Sequence, residues 1–202
     1  MVMMANSSGT DGVDAKALLY SVIERLGRNE LRRGLARDSR SVISTVMHSC
    51  MKELSIKDGD KDKDAILLRL VTALMHYLLT ECMIQSERKI QLDDDLMLDL
   101  VIPSMRALRS NPDNTLIILI ARGDEMYALN QRLRRVYALN PRVNVWTIIV
   151  GDADASRVSN TRIYMMDEYA DPQRSIIPLS SIIEDIRGFM NSRGIRPFNI
   201  VA

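Results

Sequence analysis

The sequence predicts an α/β or α+β protein in which a helical N-terminal module precedes a small three-layer α/β domain with a mixed sheet. Three observations predict it. Apolar residues recur at intervals of three and four across roughly the first 80 positions, the period of helices packed on one face. After "QLDDDLMLD" they come instead in short unbroken runs, "TLIILIA" and "VNVWTIIV", parted by one helical stretch, as strands buried on both faces of a layered sheet require. At 202 residues with 47% hydrophobic content, the chain can bury a substantial core without disulfides.

The opening "MVMMANSSGTDGVD" has no basic region followed by an apolar one, so no secretory signal is expected, and residues 1 to 12 read as a disordered tail. Residues 13 to 92 form the expected helical module. Ala17, Leu18, Val22, Ile23 and Leu26 give its first helix an apolar face. Gly27 and Gly34 interrupt the pattern, and Asp38 or Ser39 can cap a second helix through Met51. A third helix, over residues 64 to 83 with Asp64 as its cap, carries Ile66, Leu67, Leu70, Val71, Leu74, Tyr77 and Leu78. Apolar side chains occupy most of its circumference, so we expect it to be buried or to join copies of the chain in a homo-oligomer.

Residues 93 to 202 form the expected α/β domain. Residues 98 to 102 suit a short strand and 103 to 109 a short helix. The run over 115 to 121 does not alternate, which predicts a central strand covered on both faces. Asp124 would cap a helix whose core face is Met126, Leu129, Leu133, Val136 and Tyr137, ended by Asn140 and Pro141. A second buried strand follows at 143 to 150, and a shorter one, nearer an edge, at 161 to 166. Ser181 with Glu184 three residues on reads as a capping box for a last helix carrying Ile182, Ile183, Ile186, Phe189 and Met190 and stopping at Gly194.

Several function classes are excluded or weakened. No apolar run reaches the roughly 18 residues of a membrane span, so no membrane partner is expected. Cys50 and Cys82 fall inside apolar helical patterns, which fits reduced, buried thiols in a cytoplasmic protein. The net charge of +1 gives no strong global field, so nucleic-acid binding would need local patches, and 21 of the 27 cations are arginine. His48 and His76 lie within helical patterns with no glycine-framed serine, and no phosphate-loop or dinucleotide glycine fingerprint occurs. "RGD" at 122 to 124 reads as a strand exit and a cap.

Three constellations could carry chemistry. Asp58, Asp60 and Asp62 hold the first alternating positions of a calcium loop, but Lys63 and Arg69 stand where glycine and glutamate are needed, so a solvated interhelical loop explains them better. Arg25, Arg28, Arg32, Arg33, Arg37 and Arg40 could lie along phosphates, as could Arg132, Arg134, Arg135 and Arg142. Glu24, Glu30 and Asp38 dilute the first group, so an ion-paired solvated face is the competing explanation. Asp152 and Asp154 follow a strand, where open α/β sheets gather ligands, and could share Mg²⁺ with Asp99 or Asp124. Against that, Asp124 is accounted for as a cap, and Gly151 with Asp152 as a turn.

The segment "LMLDLVIPSMRALRSNPDNTLIILIARGDEMYALNQRLRRVYALNPRVNVWTIIVG" resembles the core of the restriction-endonuclease-like, or PD-(D/E)xK, superfamily, in which an acid on one strand precedes a central strand bearing Glu-x-Lys, then a helix and another buried strand. The resemblance places Asp99 at the first acid and residues 115 to 121 at the second strand. There the chain reads Ile117, Ile118, Leu119, Ile120, Ala121, with Arg122 at the end, and Pro112-Asp113 is followed by no Glu-x-Lys. The resemblance therefore implies a degenerate member that keeps the fold without the chemistry.

The function expected from the sequence is a non-catalytic intracellular interaction protein without a cofactor, binding DNA or RNA through Arg132, Arg135 and Arg142, with Arg32 and Arg33 assisting. The alternative is a Mg²⁺-dependent phosphodiesterase or nuclease using Asp152 and Asp154 with Asp99.

Overall fold

Asp14 starts the first helix by accepting the backbone N–H groups of Lys16 at 2.9 Å and Ala17 at 3.3 Å, so that two of the unpaired donors of the first turn are satisfied. The computed structural model describes residues 14 to 57, 63 to 93 and 95 to 195. The expected tail of residues 1 to 12 and the Asp58, Asp60 and Asp62 loop lie outside the described residues.

Four helices come first: α1 (Ala15–Leu26), α2 (Arg28–Arg37), α3 (Ser39–Lys57) and α4 (Lys63–Glu81). Gly27, at φ 87, closes α1 in a conformation that glycine adopts without strain. Gly34 does not break the pattern as expected. It sits inside α2, where a Cβ would come within 2.5 Å of Val42, so its role is the close approach of α2 to α3. Asp38 caps α3 through Ser41 N at 3.0 Å, as the sequence suggested, but α3 continues past Met51 to Lys57.

A mixed sheet follows in the order β1-β2-β3-β4-β5-β6: β1 (Glu87–Asp93), β2 (Leu96–Ile102), β3 (Leu116–Arg122), β4 (Asn144–Val150), β5 (Arg162–Met165) and β6 (Ile176–Pro178). The pairs β1–β2 and β2–β3 are antiparallel, and the remaining three are parallel. β3 and β4 are central. Strands β1 and β6 had no counterpart in the sequence reading, because both lie at edges: β1 is polar and half exposed, and β6 is three residues long.

Three more α-helices follow among the described residues: α5 (Met105–Ser110), α6 (Met126–Leu139) and α7 (Ile182–Ser192). Two expected caps differ. Glu125, not Asp124, closes the entry to α6, its carboxylate accepting Arg122 N at 3.2 Å, while Asp124 pairs with the Arg122 side chain. Ser181 makes no cap bond. Its hydroxyl donates to Pro178 O at 2.9 Å and lies 3.3 Å from the Asp185 carboxylate.

The sheet separates two cores. Leu116, Ile118 and Ile120 of β3 point into one, with α1 to α4 and α7, whereas Ile117, Leu119 and Ala121 point into the other, with α6 and Leu108 of α5. This is the three-layer arrangement the non-alternating runs predict. The helices of residues 15 to 81 share their core with the strands, so the helical module and the sheet are joined by continuous packing. α4 is sandwiched between α1 and the strands β3 and β4. Its apolar circumference is covered within the chain, which removes the reason for expecting a subunit interface there. No helix among the described residues is long and apolar enough to cross a membrane. Cys50 and Cys82 are free thiols, and burial pushes Cys50 up to about 12.

Candidate functional site

The pairing of β2 with β3 runs only from Ile102–Leu116 to Leu100–Ile118. Leu100 and Ile102 belong to the core beneath α1 to α4, whereas Leu96 and Leu98 belong to the core beneath α6. Residues of one parity share a face in a regular strand, so β2 rolls over at the residue between Leu98 and Leu100. That residue is Asp99. Lys89, which stands opposite it in β1, rolls with it and has φ 49.

The roll leaves backbone groups of the sheet in need of partners. Ile120 N donates to Asp99 Oδ2 at 2.8 Å. Arg132, from α6, donates to the same oxygen at 2.7 Å, to Met97 O at 2.9 Å and to Ile120 O at 3.4 Å. One carboxylate and one guanidinium thus close the fork between the strands, their side chains 27% and 26% exposed. Metal-assisted hydrolysis at this fork needs several oxygen ligands and a base or amine beside the water. The β3 residues on the α6 side here are Leu119 and Ala121, which supply neither. A divalent cation at Asp99 would also have to displace the guanidinium. The residues present do not fit a magnesium site.

The other expected ligands lie elsewhere. Asp154 caps the turn after β4, accepting from the Ser156 hydroxyl at 2.5 Å and Arg157 at 3.2 Å, and these bonds, the Ser156 hydroxyl first, hold its carboxyl below the usual range. Asp152 is exposed. Its backbone carbonyl lies where a Cβ on Gly123 would come within 2.0 Å, so the exits of β3 and β4 touch through glycine. Among the described residues, no three His, Cys, Asp or Glu side chains are gathered as a metal site. Asp152, Asp154 and Asp99 are therefore not brought together.

The expected arginines do not form one surface. Arg132 and Arg135 lie on the flank of α6 that faces the β1–β2 hairpin, Arg135 pairing with Asp93 at 3.0 Å. Arg142 pairs with Asp113 at 3.5 Å beyond the end of α6. Arg32 and Arg33 belong to α2 in the other helical layer, paired with Glu81 at 3.2 Å and with Glu30. Sequence spacing shows which cations share a helix face; it does not show which carboxylates will come to meet them.

The opposite flank of α6 borders a groove of about 1000 Å³, closed on its far side by Arg157, Ser159 and Asn160 after β4. Asn130 fixes that wall by donating to Arg157 O at 2.8 Å, and Tyr137 donates to Asn160 O at 2.5 Å. Tyr127 is 78% exposed at the groove and Arg134 lines it. Arg157 retains Asp154 as a partner, whereas Arg134 has no ion pair among the described residues. Among the described residues, no carboxylate lines the groove. Tyr127 and Asn130 were missed in the sequence because Tyr127 lies off the apolar stripe of α6, and nothing local shows that the loop 27 residues away builds the facing wall.

No family model and no curated protein matches the chain. Solved structures do. The restriction endonuclease PspGI in its complex with substrate DNA is 17% identical, with a TM-score of 0.62 over 88% of this chain and 93% of that one. Metal-depleted Ecl18kI in complex with uncleaved, modified DNA is 12% identical, with a TM-score of 0.64 over 96% and 84%. Metal-depleted Ecl18kI with uncleaved DNA is 10% identical, at 0.57 over 94% and 83%. The fold is restriction-endonuclease-like across nearly the whole described chain, as the resemblance of its central segment implied.

Proposed function

We propose that this protein binds DNA and does not hydrolyse it. The observation that carries the reading is the Asp99–Arg132 pair in the β2–β3 fork, because a guanidinium on that acid takes the place a catalytic cation would need. The likeness to PspGI and Ecl18kI supports DNA as the ligand, since both of those proteins are held in DNA complexes. The groove beside α6 supports a place for it. Arg134 and Arg157 can meet phosphates, exposed Tyr127 offers a ring face to a sugar or base, and no lining carboxylate repels the strand. Arg132 and Arg135, on the other flank of the same helix, remain engaged by Asp99 and Asp93 in this reading and add positive charge beside the strand rather than direct phosphate contacts.

The test is fluorescence anisotropy of labelled duplex DNA, with single-stranded DNA and RNA as competitors, beside incubation with Mg²⁺ or Mn²⁺. With two phosphate contacts, binding should fall roughly tenfold between about 50 and 200 mM salt. Arg134→Ala should weaken it uniformly across sequences and lower the salt slope by about one. Uncut DNA after long incubation is the expected outcome. Cleavage by the unaltered chain that disappears in Asp99→Asn would sink the non-catalytic reading, and no binding even at low salt would sink the DNA reading.

A further inference from the structure

On the other side of the sheet, two cavities of about 440 and 420 Å³ adjoin over the outer surface of α4, sharing His76, Thr80 and Arg88 in their walls. One has an apolar side formed by Leu79, Met83 and Ile84, with Gln85 and Ser86 also in its wall. The other is bounded by Lys16 and Arg28 from the first two helices, His76 and Tyr77 from α4, and Arg88 from β1. Among the described residues its one lining carboxylate is Glu81, which Arg32 engages at 3.2 Å. Glu24 accompanies Arg28 at 2.6 Å, and Lys16 and Arg88 have no carboxylate partner among the described residues.

Two buried polar atoms in this wall lack a partner among the described residues: the Tyr77 hydroxyl, in a residue 7% exposed, and His76 Nε2. Buried polar groups are nearly always hydrogen-bonded, so each orphan calls for an explanation. Both are donors. Arg88 Nη1 lies 2.5 Å from His76 Nδ1, and because a guanidinium can only donate, Nδ1 accepts and Nε2 carries the hydrogen. Burial first, then the charges of Arg88, Lys89 and Lys16, lower the imidazole to about 4, so it is neutral at physiological pH. An imidazole donor and a hydroxyl able to donate, beside three cations, form a set that an anion with several acceptor oxygens satisfies.

We propose that this cavity binds a phosphate-bearing small ligand, its phosphate held by Lys16, Arg28, His76, Tyr77 and Arg88 and its apolar portion directed toward Met83 and Ile84. A dianion with several acceptor oxygens matches the donor count better than a monovalent carboxylate does. The site lies across the sheet from the α6 groove and is independent of the DNA reading.

Isothermal titration of the full chain with inorganic phosphate and with a deoxynucleoside 5′-monophosphate, at constant ionic strength set with chloride, tests the proposal. Saturable one-to-one binding is expected, tighter for the monophosphate ester if the apolar cavity contributes. Tyr77→Phe removes a hydroxyl that has no partner, so it should stay folded while losing roughly tenfold or more in affinity. Arg88→Ala should lose at least as much, with DNA binding unchanged. Bound phosphate should also raise the His76 titration midpoint seen by NMR. No saturable binding of either probe, or binding indifferent to both substitutions, overturns the site.

Discussion

At Gly123 a single hydrogen decides whether two strand exits can meet. The missing Cβ leaves room for the Asp152 carbonyl, which would otherwise sit 2.0 Å from it. A backbone atom cannot swing aside as a flexible side chain can, so Gly123→Ala must push β3 and β4 apart at their carboxyl ends. Overpacking of this kind costs about 1–3 kcal/mol. Urea denaturation should show a lower midpoint with an unchanged slope, and an unshifted midpoint would mean that the exits are less tightly packed than described. Asp99 illustrates how far one residue could be read from sequence. Its place at the first acid of the resemblance was legible, and so was the absence of a second acid on the next strand. Its engagement by Arg132, 33 residues away, was not, because ion pairing depends on where α6 crosses the hairpin.

Among the elements, α4 shows why composition can suggest the wrong neighbour. A helix apolar over most of its circumference must be surrounded, and the sequence cannot distinguish a second copy of the chain from the chain's own sheet. Here α1 covers one side and β3 with β4 the other, leaving Ile66, Leu67, Leu70, Val71, Leu74, Met75, Leu78 and Leu79 buried. Leu74→Ala, at a side chain 1% exposed between those layers, should lower stability by about 2–5 kcal/mol through lost burial and a residual cavity. A loss well below 1 kcal/mol would show that the layer readily collapses onto the vacancy. The strands divide in the same way: β3 and β4 announced themselves by unbroken apolar runs, whereas β1 and β6 are edge strands whose polar or very short sequences carry no such signal.

For the whole molecule, the shared core predicts one unfolding event. Trp146, the single tryptophan, lies on β4 with its ring 5.5 Å from Tyr164 and 6.0 Å from Phe189 of α7, so its fluorescence reports the sheet and its helical cover. Far-UV circular dichroism is dominated by the helices. Coincident urea transitions by the two probes are expected, as two-state behaviour requires. Helical signal surviving the loss of the tryptophan signal would instead make residues 13 to 92 an autonomous unit.

What the sequence determined by itself was whatever rests on near neighbours along the chain: the period of each helix, the unbroken runs of the central strands, the cap at Asp38, and the missing Glu-x-Lys. Each of these depends on side chains within a turn or a strand of one another. Tertiary structure alone decided which groups meet across long separations. It set Arg132 on Asp99, built the α6 groove from a helix and a distant loop, and brought Lys16 and Arg88 to His76 and Tyr77. Charge and hydrogen bonding act through space at a few ångströms, and only the packed layers bring those groups that close.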